Sequence, residues 1–342
     1  MRVKLHQSSD DSAWQEFVNQ HGDACLEHDI AWQRIFADTY GYGQRYLVLE
    51  DDGGMAGVLP LFSVQVWRMG RCLLSMPFLD CGGPLAASLA HRAHLLEAAK
   101  RLGEKESAAY VEMRMLEQAG GGVPTRTDKA KLVLDLAQDA ESVWKGLPSV
   151  VRNRVRKARK GGLTVKWDDG EQLDAFHRVH ARNMRDLGSP APPPRLFSNT
   201  FRHFGERARL ITVWRDQTAV AGAVWLRIGS TAYVPWVSAW RRYFSLAPND
   251  LLYWQAVKMA CDAGCRRFDF GRSTIDSGPY RFKLKWGARA LQLYWHYYCR
   301  DGVKAPSAFA EDRGLRLAAT LWRRLPVGLT NLLGPRIIAH MP

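Results

Sequence analysis

Two stretches of this chain align without a gap at a constant offset of 165 residues. Tyr46–Leu61 lies against Ile211–Leu226, with Val48/Val213, Asp51/Asp216, Ala56/Ala221, Gly57/Gly222 and Leu61/Leu226 identical. Each stretch reads as a strand, a polar turn and a second strand, the pattern of a β-hairpin. A third strand follows in both, Cys72–Phe78 and Thr231–Trp240. A loop comes next, Gly82-Gly83-Pro84 or Ala247-Pro248-Asn249-Asp250, and then a helix. Leu95, Leu96, Ala99 and Leu102 share one helical face in the first copy; Leu252, Ala256, Met259 and Ala260 do so in the second. Ala109–Met113 and Arg267–Gly271 are the closing strands. The period is too long for a solenoid, so the chain carries two copies of one α/β domain.

The expected boundaries are 1–144 for the first domain, 145–162 for a basic linker helix, 163–302 for the second domain and 303–342 for a tail. The linker has Ser149 as its N-cap and Gly161 as its C-cap, with Val151, Val155 and Ala158 as a narrow apolar stripe. Residues 145–160 hold seven basic side chains and no acid. After a helix over Gln172–Asp186, Pro190-Ala-Pro-Pro-Pro194 reads as an extended loop, either a substrate wall or a connector. The tail is expected to be an amphipathic helix, with Leu315, Leu317, Ala318, Leu321 and Trp322 among Arg313, Arg316, Arg323 and Arg324. Packing on the body and peripheral contact with an anionic membrane are its two readings.

The formal net charge of +14 points to an anionic partner: nucleic acid, a phosphorylated carrier or an acidic membrane face. With 46% hydrophobic residues among 342, the chain can build two cores, which excludes wholesale disorder. No apolar run spans 18 residues, and the polar start lacks the apolar core of a signal peptide. A cytoplasmic protein, placed in part at the inner membrane face, is expected. The six cysteines form no CxxC pair and are expected to be reduced.

A longer series of strings resembles one family. Trp32, Leu59-Pro60-Leu61, Ser75-Met76-Pro77-Phe78, Gly82-Gly83-Pro84 and Glu112-Met113-Arg114 come first. Arg152, Arg156-Lys157-Ala158, Gly161 and Met184-Arg185-Asp186-Leu187-Gly188 follow. Phe268-Asp269-Phe270-Gly271-Arg272-Ser273 and Gly278, Phe282-Lys283, Trp286-Gly287 complete the series. In order and number these resemble FemAB-like proteins, and most of all those that accompany exosortase/PEP-CTERM and exopolysaccharide genes. The resemblance implies two tandem GNAT-like (acyl-CoA N-acyltransferase) domains, α/β, with mixed sheets flanked by helices. It implies transfer of an acyl or aminoacyl group onto an amine of a cell-envelope or exopolysaccharide precursor, as in peptidoglycan cross-bridges. The donor is open: aminoacyl-tRNA or an acyl thioester, with no bound cofactor. The coiled-coil arm of the better-known members is absent from this sequence.

Within that frame Asp269 and Asp80 are the candidate catalytic carboxylates. Asp269 stands between Phe268 and Phe270, where a carboxylate must be paired or functional, with Arg272 as its expected partner. Glu112 and Arg114 repeat the acid–base alternation in the first copy. Arg152, Arg156 and Lys283 are the candidate phosphate-binding cations, expected to converge where the two copies join. Arg281, Lys283 and Lys285 alternate with apolar residues, which reads as a strand. Trp236 and Tyr243 are candidate acceptor-channel residues. Gly82 and Gly83 could admit a phosphate or simply form a turn. Arg241–Asp250 contains no glycine and Pro248 lacks an N–H, which argues against ordinary coenzyme A binding. No metal is expected, since no HExxH motif or acidic cluster accompanies the histidines. The competing class is a basic nucleic-acid-binding or membrane-surface protein with a non-catalytic fold.

Overall fold

The computed structural model describes all residues except 121, 138, 307–312 and 342, and the side chain of Arg313 also lies outside the described set. The chain forms two compact units. The first comprises Met1–Lys129, Gln292–Ala308 and Ala339–Pro342; the second comprises Ala130–Leu291 and Phe309–Ile338.

In the first unit the elements run β1 (Arg2–Leu5), α1 (Asp11–Gln20), α2 (Ala31–Tyr40), β2 (Gly43–Gln44), β3 (Leu47–Asp51), β4 (Gly54–Leu59), β5 (Phe62–Val66), β6 (Gly70–Leu74), β7 (Leu85–Ala86), α3 (Leu89–Lys105), β8 (Tyr110–Met115) and β9 (Thr125–Arg126). The second unit holds β10 (Lys129–Asp135), α4 (Ala140–Gly146), α5 (Ser149–Lys160), β11 (Leu163–Asp168), α6 (Leu173–Leu187), α7 (Pro194–Phe204), β12 (Ala208–Arg215), β13 (Thr218–Ile228), β14 (Thr231–Ala239), α8 (Pro248–Asp262), β15 (Arg267–Thr274), α9 (Gly278–Leu284) and β16 (Arg289–Gln292). The strand β17 (Tyr294–Cys299) returns to the first unit; α10 (Arg313–Trp322) and α11 (Val327–Ile338) return to the second. Sheet orders are β1-β3-β4-β7 and β2-β5-β6-β8-β17-β9 in the first unit, and β11-β12-β13-β14-β15-β10-β16 in the second.

The expected repeat of hairpin, strand, helix and strand is present in both units as β3-β4-β6-α3-β8 and β12-β13-β14-α8-β15. The register differs from the sequence alignment by one residue. The two-residue turns are Asp52-Gly53 and Asp216-Gln217, and the bulged residues Ala56 and Val220 follow them, so turn and bulge both correspond at an offset of 164. A one-residue slip turns a side chain to the other face of a sheet. A Cβ on Gly57 would accordingly meet Leu95 of α3, whereas one on Gly222 would meet Phe176 of α6.

The unit boundaries also fall away from 144 and 302. β10 and α4 lie in the second unit, and α5 buries Val151, Val155 and Ala158 in that unit's core instead of linking two domains. Its N-cap is Pro148, with Ser149 in the first helical position. Residues 278–284 are a helix, not the expected strand. Ser277 accepts from the Tyr280 N–H, and proline stands in the first turn. Those start signals outweigh a short basic–apolar alternation.

The tail helices α10 and α11 pack on the second unit. Trp322 Nε1 donates to Ser189 O at 3.1 Å, and Arg185 Nη1 donates to Leu325 O at 3.1 Å. The loop Pro190–Pro193 is largely buried, and Gly334 of α11 sits against Ala191. Gly188 ends α6 at φ +81°, where an added Cβ would lie 2.8 Å from Ala319 O. We therefore expect Gly188→Ala to cost about 1–3 kcal/mol from left-handed backbone strain, beyond the clash. Limited proteolysis should show earlier cleavage within α10 and α11 in this variant than in the parent; equal cleavage rates would contradict the docking role of Gly188.

Candidate active site

The parallel pairing of β14 with β15 lasts three residues: Thr231↔Arg267, Ala232↔Phe268 and Tyr233↔Asp269. Both strands continue past it, β14 to Ala239 and β15 to Thr274. On the other side of β14 the register against β13 shifts between Val224 and Leu226, next to Pro235. A bulge there bends the strand. Strands that part expose backbone groups that a ladder would otherwise satisfy.

Asp269 occupies the last paired position and is buried. Its Oδ2 is 2.9 Å from Lys131 Nζ, and its Oδ1 accepts the Gly271 N–H at 2.8 Å. Lys131, from β10, is buried as well and stands 5.4 Å from the Tyr233 ring centroid. Lys283, from α9, turns inward, and its Nζ donates to Gly271 O at 2.9 Å and Arg272 O at 3.0 Å. The apex of the parted strands therefore carries a buried Lys131–Asp269–Lys283 network. Burial of three charged groups is tolerated because each has hydrogen-bonded partners. Further along β15, Ser273 Oγ is buried without a partner among the described residues.

The next layer lies where β14 ends. Trp236 meets Phe197 edge-on at 5.4 Å. Tyr243 stacks on Trp240 at 6.3 Å, and the Arg242 guanidinium lies 4.7 Å from both rings. Arg182 covers Trp240 at 5.4 Å. At the start of α8, Asp250 is buried and accepts from Arg154 Nε at 2.9 Å. Burial pushes the Asp250 carboxyl up against the opposing pull of Arg154. A carboxylate already occupies this helix start, where an anionic donor would otherwise be favoured.

Beneath β14, His180 Nδ1 is 2.9 Å from Ser238 Oγ, which also accepts from Asn183 Nδ2 at 3.1 Å. Burial lowers the His180 pKa to about 3, so the ring is neutral.

The sequence-derived residues thus divide. Asp269 and Lys283 both bond the Gly271 peptide, and Arg272 joins them through its backbone carbonyl; Lys131 is an ion-pair partner of Asp269 that the sequence reading missed. Trp236 and Tyr243 lie on β14 and just beyond it. Arg152 and Arg156 project from α5 with other partners: Arg152 Nη1 reaches Lys145 O at 3.4 Å, and Arg156 stands 5.7 Å from the Trp144 ring. They do not share the backbone partners of Lys283, which is a buried residue and not part of a solvated basic face.

The first unit has the same apex in a closed form. β6 and β8 pair in parallel at Leu73↔Val111 and Leu74↔Glu112. Glu112 is bonded to Arg114 Nε at 2.5 Å, and both are buried. Arg114 Nη1 also donates to Met76 O and Leu79 O. Gly82 and Gly83 are committed to packing: both N–H groups donate to Arg114 O, and added Cβ atoms would lie 2.5 Å from Met76 and 2.6 Å from Met115 respectively. They offer no phosphate cradle. Asp80 is half-buried on the same loop; its N–H donates to Glu27 and its carbonyl accepts from Trp295.

Residues 149–284 match the acetyltransferase (GNAT) domain family, a span that ends one residue past Lys283 and takes in the parted strands. Among solved structures the chain resembles FemX, at 15% identity and a TM-score of 0.67, covering 88% of this chain and 98% of that one. It also resembles a tandem GNAT protein from the clavulanic acid biosynthesis pathway, at 12% identity and a TM-score of 0.56, covering 90% and 100%. A third likeness is to the C-terminal domain of a proposed lysylphosphatidylglycerol synthetase from Agrobacterium fabrum, at 11% identity and a TM-score of 0.56, covering 92% and 95%. No curated protein sequence matches the chain. The fold is that of tandem GNAT proteins, and the second unit carries the acetyltransferase-type domain.

The neutral His180 ties stability to pH. Its folded pKa of about 3 lies below the ordinary 6.5, so the unfolded chain takes up a proton first as pH falls. Stability is full above pH 6.5 and is lost toward pH 3, at about 1.4 kcal/mol per pH unit for this one proton. His6, His177 and His296 are shifted the same way by burial. The comparison that isolates His180 is urea unfolding of the parent and His180→Gln from pH 7 to pH 5. We expect a shallower loss in the variant, and parallel curves would remove His180 from the account.

Proposed function

We propose that the second unit transfers an acyl or aminoacyl group from a phosphate-bearing donor to an amine of a cell-envelope or exopolysaccharide precursor. The carrying observation is the buried Lys131–Asp269 pair with the inward-turned Lys283 at the point where β14 and β15 part; Asp269 and Lys283 lie inside the segment that matches the acetyltransferase domain. The FemAB-like strings and the likeness to FemX support the aminoacyl form of this reading. So does the likeness to a proposed synthetase whose name states an aminoacylated phospholipid.

In the reaction the acceptor nitrogen attacks the acyl carbonyl carbon. A C–N bond forms, the donor's C–O or C–S bond breaks, and the amine proton leaves with the departing alcohol or thiol. Lys131 and Lys283 bring ammonium groups to the apex, and their N–H donors steady the developing oxyanion. Asp269 acts here as a positioning residue that holds Lys131 and the Gly271 N–H. Trp240 and Tyr243, with Arg182 and Arg242, give a donor's base and phosphates a stacked, basic seat.

The test is radiolabelled transfer from mixed aminoacyl-tRNA, and separately from acyl-coenzyme A, to an extract of envelope precursors. Asp269→Asn alone leaves Lys131 uncompensated and should cost about 3–5 kcal/mol of stability. Asp269→Asn with Lys131→Met should recover part of that loss, yet transfer at no more than about a hundredth of the parent rate, on the order of one lost oxyanion donor. Full transfer by the folded double variant would remove the network from the chemistry.

The tail supports placing this site at an anionic membrane face. Residues 313–342 contain five arginines and no acid. Leu317, Leu321 and Leu332 are 63%, 54% and 67% exposed, too much for leucines that only pack inward. Among the described residues no helix is long and apolar enough to cross a membrane. We expect the protein to float with vesicles containing phosphatidylglycerol and not with pure phosphatidylcholine, and Leu317→Asp with Leu321→Asp to abolish flotation. Equal recovery with both lipids would dismiss the basic contribution.

A second reading rests on a different surface. A shallow recess of about 290 Å³ is lined by Ala140, Glu141, Trp144, Arg159, Trp254 and Lys258, with the two tryptophan rings 4.5 Å apart. Aromatic faces beside arginines suit stacked bases, so this recess favours nucleic-acid binding without catalysis. Tight binding of uncharged tRNA together with no transfer from any donor would select it.

A further inference from the structure

We propose that Cys25 and Cys81 of the first unit are a redox modification site: they close into a reversible disulfide when a small disulfide oxidant, such as oxidised glutathione, reaches Cys25. The two cysteines stand 56 positions apart in the chain, so no CxxC spacing announces them. The fold nevertheless brings them into contact, with Cys81 Sγ donating to Cys25 Sγ at 3.4 Å. A disulfide sets its sulfurs about 2.05 Å apart, so the pair closes by about 1.4 Å, a distance that side-chain rotation covers. The backbones on either side are already fixed to each other. Cys25 caps a short 3-10 turn over Leu26–His28, and Cys81 lies on the loop that precedes Gly82. Glu27 Oε1 accepts the N–H groups of Asp80 and Cys81 at 3.0 Å and 3.2 Å, and His28 Nε2 donates to Gly83 O at 2.9 Å. Two thiols held in this way meet at a high effective concentration, which favours the bond between them over two separate adducts.

Access sets the order of events, because Cys25 is half-buried and Cys81 is buried. The Cys25 thiolate attacks one sulfur of the oxidant. A bond from Cys25 to that sulfur forms, the oxidant's own S–S bond breaks, and the released thiolate takes up a proton. The Cys81 thiolate then attacks the Cys25 sulfur and expels the second small thiol, which is protonated in turn. Two protein thiols lose two electrons and two protons, and one disulfide oxidant is reduced to two thiols. The other four cysteines compete poorly. Burial pushes the Cys72 and Cys261 thiols up to about 11 and raises those of Cys265 and Cys299, so little of their thiolate is present near neutral pH. In a reducing compartment a bond of this kind is transient, as in a redox sensor.

The experiment uses the full chain, reduced, freed of reductant and then exposed to oxidised glutathione under native conditions. Thiols counted after denaturation should fall from six to four, with no glutathione retained on the protein. Peptide mapping should recover a fragment that joins Cys25 to Cys81, and dithiothreitol should restore all six thiols. The unmutated chain suffices for this result, so no variant has to fold. Cys81→Ala should stop at a glutathione adduct on Cys25, and Cys25→Ala should leave Cys81 reduced. Six thiols after exposure to the oxidant overturn the proposal. So does a stable glutathione adduct on Cys25 of the unmutated chain, or a crosslink that joins a different pair.

Discussion

A carboxylate buried at the end of a short parallel ladder is the interaction on which both units depend. Glu112 and Asp269 hold equivalent places, each at the last residue of β8 or β15 that still pairs with its parallel neighbour. Beyond that residue the strands separate, and their peptide groups need other partners. Buried cations supply them: Arg114, the ion-pair partner of Glu112, donates to Met76 O and Leu79 O, and Lys283, from α9 beside the Lys131–Asp269 pair, donates to Gly271 O and Arg272 O. Removing the carboxylate from either apex strands a buried cation, a larger loss than the pair itself is worth.

The two units fill the same gap differently. In the first unit the cation is Arg114, two residues along the same strand, and the loop after β6 folds back over it. Gly82 and Gly83 are needed there because any side chain would strike Met76 or Met115. The apex is neutral and filled by its own chain. In the second unit the cations arrive from outside the repeat, Lys131 from β10 and Lys283 from α9. There Lys131 pairs with Asp269, while Lys283 is held by two backbone carbonyls.

Much of this was legible in the sequence. The hairpins, the third strands, the helices after them and the closing strands follow from side-chain periodicity, and Asp269 stood out because a carboxylate between two phenylalanines must have a partner. The partner itself was not legible: Lys131 sits in Lys129-Ala-Lys-Leu-Val-Leu-Asp135, which looks like any edge strand until the sheet order places β10 beside β15. The segment around Lys283 was misread as a strand because three basic residues alternate with apolar ones. The Ser277 cap and Pro279 were present but received too little weight. The unit boundaries were hidden for a similar reason, since β17 differs in no local feature from a strand of the second unit, yet pairs with β8.

The one-residue difference between the aligned and the folded registers has its own physical content. Both copies keep Ala-Gly in the second strand of the hairpin, yet the glycine faces opposite sides in the two units, toward Leu95 of α3 in one and Phe176 of α6 in the other. A glycine at each place removes the side chain that would hold a helix away from the sheet. In the second unit Ala221 and Ala223 face the α8 side while Gly222 faces α6, so small residues admit a helix on both faces of β13. Only a sheet covered on both faces can bury the His180–Ser238–Asn183 group under β14, and the same cover presses Trp236 against Phe197. In the first unit β4 also carries two helices, α1 and α3, so the drift of a single glycine changes which covering helix it admits most closely, α3 in one copy and α6 in the other.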